Sequence, residues 1–257
     1  MAFKKDTVAG TMIFIISLSL VCSFMITGTA EILKERKLAK KRDEIQQFVL
    51  RAANVDISNG DFRELFAERV TPKMVNLESG EYVAQENLLD FDDRMAAINP
   101  DSSSKPKKDT AKIKTRADNI RIFEVRDESG SLSSVVMPIY GKGLWSMIYG
   151  YLAVKPDLNT VENIIFYEHG ETPGIADFVT DPQWTDLWKG KQLFDEQGKI
   201  AIKVVKGGAK EGDIHGVDGV SGATRTGVGI QRAVEFWFGV EGFQTFLKQF
   251  AQAEAKS

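Results

Sequence analysis

The stretch Asp218-Gly219-Val220-Ser221-Gly222-Ala223-Thr224-Arg225-Thr226 closes a glycine-rich loop where the C-terminal helix is expected to open. Small residues let the backbone approach a ligand closely, and the exposed N–H groups of a helix's first turn, together with its dipole, favour negative charge. The stretch therefore suits a phosphate. Ser221, Thr224 and Thr226 add hydroxyls where those N–H groups converge. A second reading uses the same residues, with Ser221 or Thr224 as an ordinary helix N-cap. Taken locally, both readings stand.

Other residues that could do chemistry are less well supplied with partners. His169 and His215 are the only histidines, and neither belongs to a spaced Cys/His/Asp/Glu set, so no transition-metal site is expected. Ser221 lacks the Gly-x-Ser-x-Gly elbow of a hydrolase. Gly141-Lys142-Gly143 is a fragment of a dinucleotide fingerprint without its third glycine, its helix or its later acid, and Lys142 does not make it a P-loop. Trp145 is either a core residue or a wall beside a cofactor. The only cysteine, Cys22, excludes an intrachain disulfide, a thiolate cage and a cysteine-ligated cluster, so any redox chemistry comes from a bound organic cofactor or from elsewhere. A net charge of −3 argues against nucleic acid as a partner.

Several elements must position these residues. Thr7 to Ala30 holds no charged residue and matches the length a helix needs to cross ~30 Å of hydrocarbon. A cleaved signal peptide is the alternative, with Lys4 and Lys5 as its positive end, but the apolar run is too long for a typical one. From Glu31 to about Ala53, apolar residues at helical spacing stand among charges, predicting a stalk helix whose basic cluster, Lys34 to Arg42, is a solvated face near the lipid, with contact to anionic head groups as the other reading. The predicted organisation is residues 1–6 as a short N-terminus, 7–30 as a membrane span, 31–53 as a stalk and 54–257 as a folded domain. Residues 55–135 mix apolar pieces and polar linkers, and Asp101 to Asp109 reads as an exposed loop. Strands are expected at Ile120–Val125, Ser133–Tyr140, after Gly143 up to Val154, at Ile164–His169 and at Ile200–Val205. The strand at Ile164–His169 runs into the turn Gly170-Glu171-Thr172-Pro173-Gly174. A helix is expected near Asp181 to Leu187, and one final helix from Gly229 to about Ala251 with an apolar stripe through Trp237 and Phe246. The pattern is an α+β domain with a mainly antiparallel sheet and flanking helices.

Asp218-x-x-Ser-Gly-Ala-Thr224 matches the Asp-x-x-(Ser/Thr)-Gly-Ala-Thr signature at which a flavin transferase attaches FMN. With an N-terminal span, Gly-Lys-Gly-Leu-Trp-Ser and Glu-His-Gly-Glu-Thr-Pro-Gly in order before it, the whole chain resembles the C-subunit family of bacterial sodium-translocating NADH:quinone reductases. Ile175-Ala176 departs from the Leu-Gly expected after Pro173-Gly174. The resemblance implies an FMN-binding domain with FMN held covalently by a phosphoester to Thr224. It implies that Leu144 and Trp145 pack by the isoalloxazine, that Glu171, Thr172 and the Gly170–Gly174 backbone bond to it, and that Ser221, Gly222, Ala223 and Thr226 surround the phosphate, with Asp218 positioning the loop or helping the transferase bind its metal and substrate. It implies sister subunits, a maturing flavin transferase and an inner membrane in which the large domain is periplasmic. The positive-inside rule alone would place that domain in the cytoplasm, but it is weakest for long exported domains. The flavoprotein G-subunit of Rnf-type complexes shares the signature, and a flavin-free, membrane-anchored binding module is the alternative from another class.

Overall fold

The computed structural model describes residues 7–58 and 60–254. The short N-terminus expected at residues 1–6 lies outside the described residues. The chain divides into two compact units, Met1–Glu44 and Ile45–Ser257. The described part of the first unit is almost all helix, the first part of α1 (Val8–Ala52), whose early turns expose Phe14, Ile16 and Leu20 along an uncharged surface. Its length and composition suit a membrane crossing.

The second unit begins earlier than the expected 54, because the last turns of α1 belong to it. Val49, Leu50 and Ala52 are fully buried against Phe66, Val70, Phe123 and Tyr151. After α2 (Phe62–Arg69) come β1 (Val70–Asn76), β2 (Tyr82–Val83), α3 (Asp93–Ile98), a two-rung ladder of β3 (Ser103–Ser104) with β4 (Arg116–Ala117), then β5 (Asn119–Arg126), β6 (Leu132–Lys142), β7 (Met147–Val154) and β8 (Val161–Glu168). The main sheet runs β2-β1-β5-β6-β7-β8 and is antiparallel throughout. Alternation in β5 sends Phe123 and Val125 to the face that buries the end of α1, and Ile120 and Ile122 to the opposite face.

That opposite face is covered by two helices, Thr224–Trp237 and Gln244–Glu254, through Ile230, Val234, Trp237 and Phe246, with Phe243 from the turn between them. They are α5 and α6, following the short α4 (Pro182–Thr185). Each such side chain contributes about 1.5–3 kcal/mol by leaving water. The single closing helix expected from Gly229 to Ala251 is thus two helices. The N–H groups of Phe243 and Gln244 turn back to the carbonyls of Trp237 and Gly239, and a side chain at Gly242 would collide with the Trp237 carbonyl. Three further expectations are corrected. The Ile200–Val205 strand shortens to β9 (Lys203–Val205), which pairs in parallel with β10 (Gly216–Asp218) outside the main sheet. The helix near 181–187 is α4 followed by a 3-10 turn, Asp186–Trp188. The 101–109 segment is pinned rather than free, since Ser103 and Ser104 pair with β4 and the N–H groups of Lys107 and Lys108 donate to Glu241.

Three features of this fold converge at one end of the sheet. Lys142 pairs with Met147, so Gly143–Ser146 forms the tip of the β6–β7 hairpin. Tyr149 pairs with Glu168, so the turn after β8 leaves the sheet beside that tip. Gly229 of α5 packs on the same tip so closely that a Cβ there would lie 2.6 Å from the Lys142 carbonyl oxygen and 2.9 Å from the Gly143 Cα.

Candidate functional site

Glu171 joins these three elements. Its Oε1 accepts from the N–H groups of Trp145 and Ser146, each at 3.0 Å, and from Ser146 Oγ at 3.2 Å; its Oε2 accepts from Leu144 N at 3.0 Å and Thr226 Oγ1 at 2.7 Å. A carboxylate offers about four lone-pair sites, so these donors saturate it. The side chain is 4% exposed. Burial alone would raise its pKa, but the donors from Ser146, Thr226, Trp145 and Leu144 outweigh burial and hold it at about 2. Glu171 is therefore a buried anionic clamp that closes the hairpin tip onto the first turn of α5.

Two expectations change here. The Glu171 carboxylate has no acceptor capacity left for an isoalloxazine. The Thr226 hydroxyl, on a side chain only 2% exposed, gives its proton to Glu171 rather than to a phosphate. The surrounding bonds reinforce the clamp. Ser146 Oγ accepts from Gly170 N at 2.7 Å, Lys142 Nζ donates to the Trp145 carbonyl at 2.7 Å, and Arg94 grips Glu168 with both Nη atoms while its guanidinium lies 3.7 Å from the Tyr149 ring centre. A bulge at Tyr167, between the pairs Tyr149–Glu168 and Gly150–Phe166, re-aims the end of β8 into the turn.

Held on this scaffold, the remaining site residues face outward. Trp145 is 66% exposed and Leu144 half-buried, while Gly170, Thr172 and Gly174 lie on the surface. Gly174 takes φ +77, which the turn closing on Asp177 requires. At the helix start, Ser221, Gly222 and Thr224 are exposed and Ala223 is buried. Neither Ser221 nor Thr224 caps the helix: the N-cap position is Ala223, without a side-chain cap. The turn preceding it passes through Gly222 at φ +85, and Thr224 already stands inside the helix as its first residue. Among the described residues, the N–H groups of Thr224, Arg225 and Thr226 have no acceptor within the chain, and the Ser221 and Thr224 hydroxyls have no hydrogen bond.

Ser221 and Thr224 border a pocket of about 320 Å³ whose lining also includes Lys206, Gly207, Gly219 and Gly222. Asp218 stands behind it as a loop-positioning residue: its carboxylate accepts from Ala209 N at 2.7 Å, and its carbonyl accepts from Trp184 Nε1 at 2.7 Å. Lys206 at the pocket and the Glu171–Thr226 bond are the features of the site that sequence reasoning missed. The signal for Lys206 was a cation at the end of a strand, followed by Gly207-Gly208, one loop ahead of the signature. Among the described residues no cluster of metal-ligating side chains occurs.

A family model described as an FMN-binding domain matches residues 143–239, the span that carries the hairpin tip, the turn and the first helix of this site. Over 250 residues the chain is 40% identical to the C-subunit of Na(+)-translocating NADH-quinone reductase from Haemophilus ducreyi, covering 96% of each chain. Over 256 residues it is 40% identical to the corresponding protein of Vibrio alginolyticus, covering 99% of each. The fold matches the crystal structure of Shewanella oneidensis NqrC at 66% identity with a TM-score of 0.82, covering 83% of this chain and 99% of that one. With a hairpin tip, a turn and an uncapped helix start gathered inside the matched span, the chain belongs to the C-subunit family of the Na(+)-translocating NADH-quinone reductase, an oxidoreductase complex, and carries its FMN-binding domain.

Proposed function

We propose that this chain is the flavinylated electron-transfer subunit of a sodium-pumping NADH:ubiquinone oxidoreductase, with FMN attached through a phosphoester to Thr224 Oγ1. One observation carries the proposal: Glu171 ties the Leu144–Ser146 tip to Thr226, so that the exposed Thr224, Trp145, Gly170, Thr172 and Gly174 are held on one clamped base. The residues fit the group. A phosphodiester keeps one negative charge, and three unpaired N–H groups at a helix start, the free Ser221 hydroxyl and a glycine-lined pocket suit it.

Bound FMN supplies a ring system that takes up and releases electrons one at a time. The chain's own residues position and shield it. Trp145 and Leu144 offer apolar surface to the ring, Thr172 and the backbone at Gly170 and Gly174 offer hydrogen bonds, and Gly222 and Ala223 shape the turn beneath the phosphate. Glu171 acts through the loop it holds. The tether prevents dissociation, which matters for a carrier separated by a membrane from the cytoplasmic flavin pool.

The same reading places the chain in the bacterial inner membrane, crossing once, with its large domain periplasmic. Its donor and acceptor are redox centres on sister subunits, and a flavin transferase supplies the cofactor. The basic stretch Lys34 to Arg42 is a solvated helix face near the lipid. Alone the chain catalyses nothing. The uncharged span gives sodium no acid or base to follow, so the ion path runs through the sister proteins of the complex.

In-gel fluorescence tests the attachment. The chain co-expressed with a flavin transferase gives a denatured band that glows under ultraviolet light, and the Thr224→Leu variant gives a dark one. A dark wild-type band, or a glowing variant, contradicts the proposal.

A further inference from the structure

We propose that Lys206 is the phosphate-recognising cation of this site, the residue that makes it select a phosphorylated flavin over the uncharged vitamin. The inference rests on Thr224 as the attachment point and concerns a different element. In the parallel pairing of β9 with β10, Val205 lies opposite Asp218, so the next residue, Lys206, emerges beside Gly219 at the base of the signature loop. There it lines the same pocket as Ser221, Gly222 and Thr224.

Two facts make the charge available. Every other residue lining that pocket is uncharged, so Lys206 adds the one full charge of its lining to the partial positive charge of the helix start. Among the described residues Lys206 has neither an ion-pair nor a hydrogen-bond partner, because the nearby Asp218 carboxylate is turned to Ala209 N. Gly207 and Gly208, at φ +85 and +98, fold the chain away immediately afterwards and leave the mouth of the pocket open. A lysine ammonium recognises phosphate as a point charge, without the fixed bidentate geometry that arginine imposes. It therefore suits both the incoming phosphorylated flavin and the phosphodiester that remains on Thr224. Arg225, although adjacent to Thr224 in sequence, does not line the pocket.

The test uses the full chain in detergent. In a Thr224→Val background, which prevents attachment, FMN and riboflavin are titrated separately and followed by flavin fluorescence. Replacing Lys206→Gln is expected to weaken FMN about tenfold while leaving riboflavin unchanged, and Lys206→Arg to restore FMN binding. Equal FMN affinity with and without the lysine, or an equal loss for both flavins, overturns the proposal. A second arm covers weak reversible binding: in the Thr224 chain, the initial rate of covalent flavinylation falls several-fold in Lys206→Gln and recovers in Lys206→Arg, and an unchanged rate overturns the proposal. A wild-type chain that takes no covalent flavin refutes the attachment itself; a flavinylated wild type with an indifferent Lys206→Gln refutes only the role of the lysine.

Discussion

The nine residues from Asp218 to Thr226 contain two regions of opposite character. Thr226 is buried, its hydroxyl bonded to a carboxylate that is saturated by donors from another element. Thr224, two residues earlier, is exposed with a free hydroxyl above an open pocket. Two threonines of one short stretch thus do different work: one builds the scaffold and the other meets the ligand. Hydroxyl density alone does not separate them. What separates them is helical direction, because Thr226 points back to the hairpin tip that Gly143 and Gly229 allow to come close.

The sharpest way to break the contrast is to remove the clamp. Glu171→Ala leaves three backbone N–H groups and two hydroxyls without their acceptor and is expected to cost about 3 kcal/mol or more, read as a shift in the urea midpoint of the full chain in detergent. The same group sets a pH dependence. Its folded pKa, about 2, lies below the ordinary 4.5, so its contribution of roughly 3 kcal/mol is present above pH 4.5 and is lost as pH falls from there toward 2. In Glu171→Ala that part of the acid sensitivity disappears. Thr226→Val removes one donor and is expected to cost about 1 kcal/mol, while covalent flavin still forms. Smallest of all, Ser221→Ala and Thr224→Val are expected to change stability by no more than about 0.5 kcal/mol, because neither hydroxyl has a partner in the fold. A large loss of stability in either variant would erase the distinction between scaffold and site.

Much of this architecture is legible in the residue pattern. The alternation of β5 and β6 and the glycine-punctuated hairpin that follows appear where expected. β1 is hidden, since Pro72 and Lys73 interrupt its alternation. The proline is tolerated because β2 pairs only with Met74 and Val75, leaving the Pro72 side of the strand without a neighbour that needs its N–H. The break between α5 and α6 is masked by a continuous apolar stripe, which survives a bend when both helices pack on one sheet face. The site is legible in part. Its exposed members carry a local signature, whereas the Glu171–Thr226 bond spans 55 residues and no local spacing rule contains it. Lys206 escapes notice for the same reason: the parallel pairing of β9 with β10 brings it to the pocket, and neither short strand announces its partner.

Peptide mapping by mass spectrometry tests the central claim most directly. The full chain, co-expressed with a flavin transferase and digested, should carry the added mass of FMN on the peptide containing the signature, with fragment ions placing it on Thr224. The modification on Ser221 or Thr226 instead, or an unmodified Thr224 in a chain that binds flavin, would contradict the account.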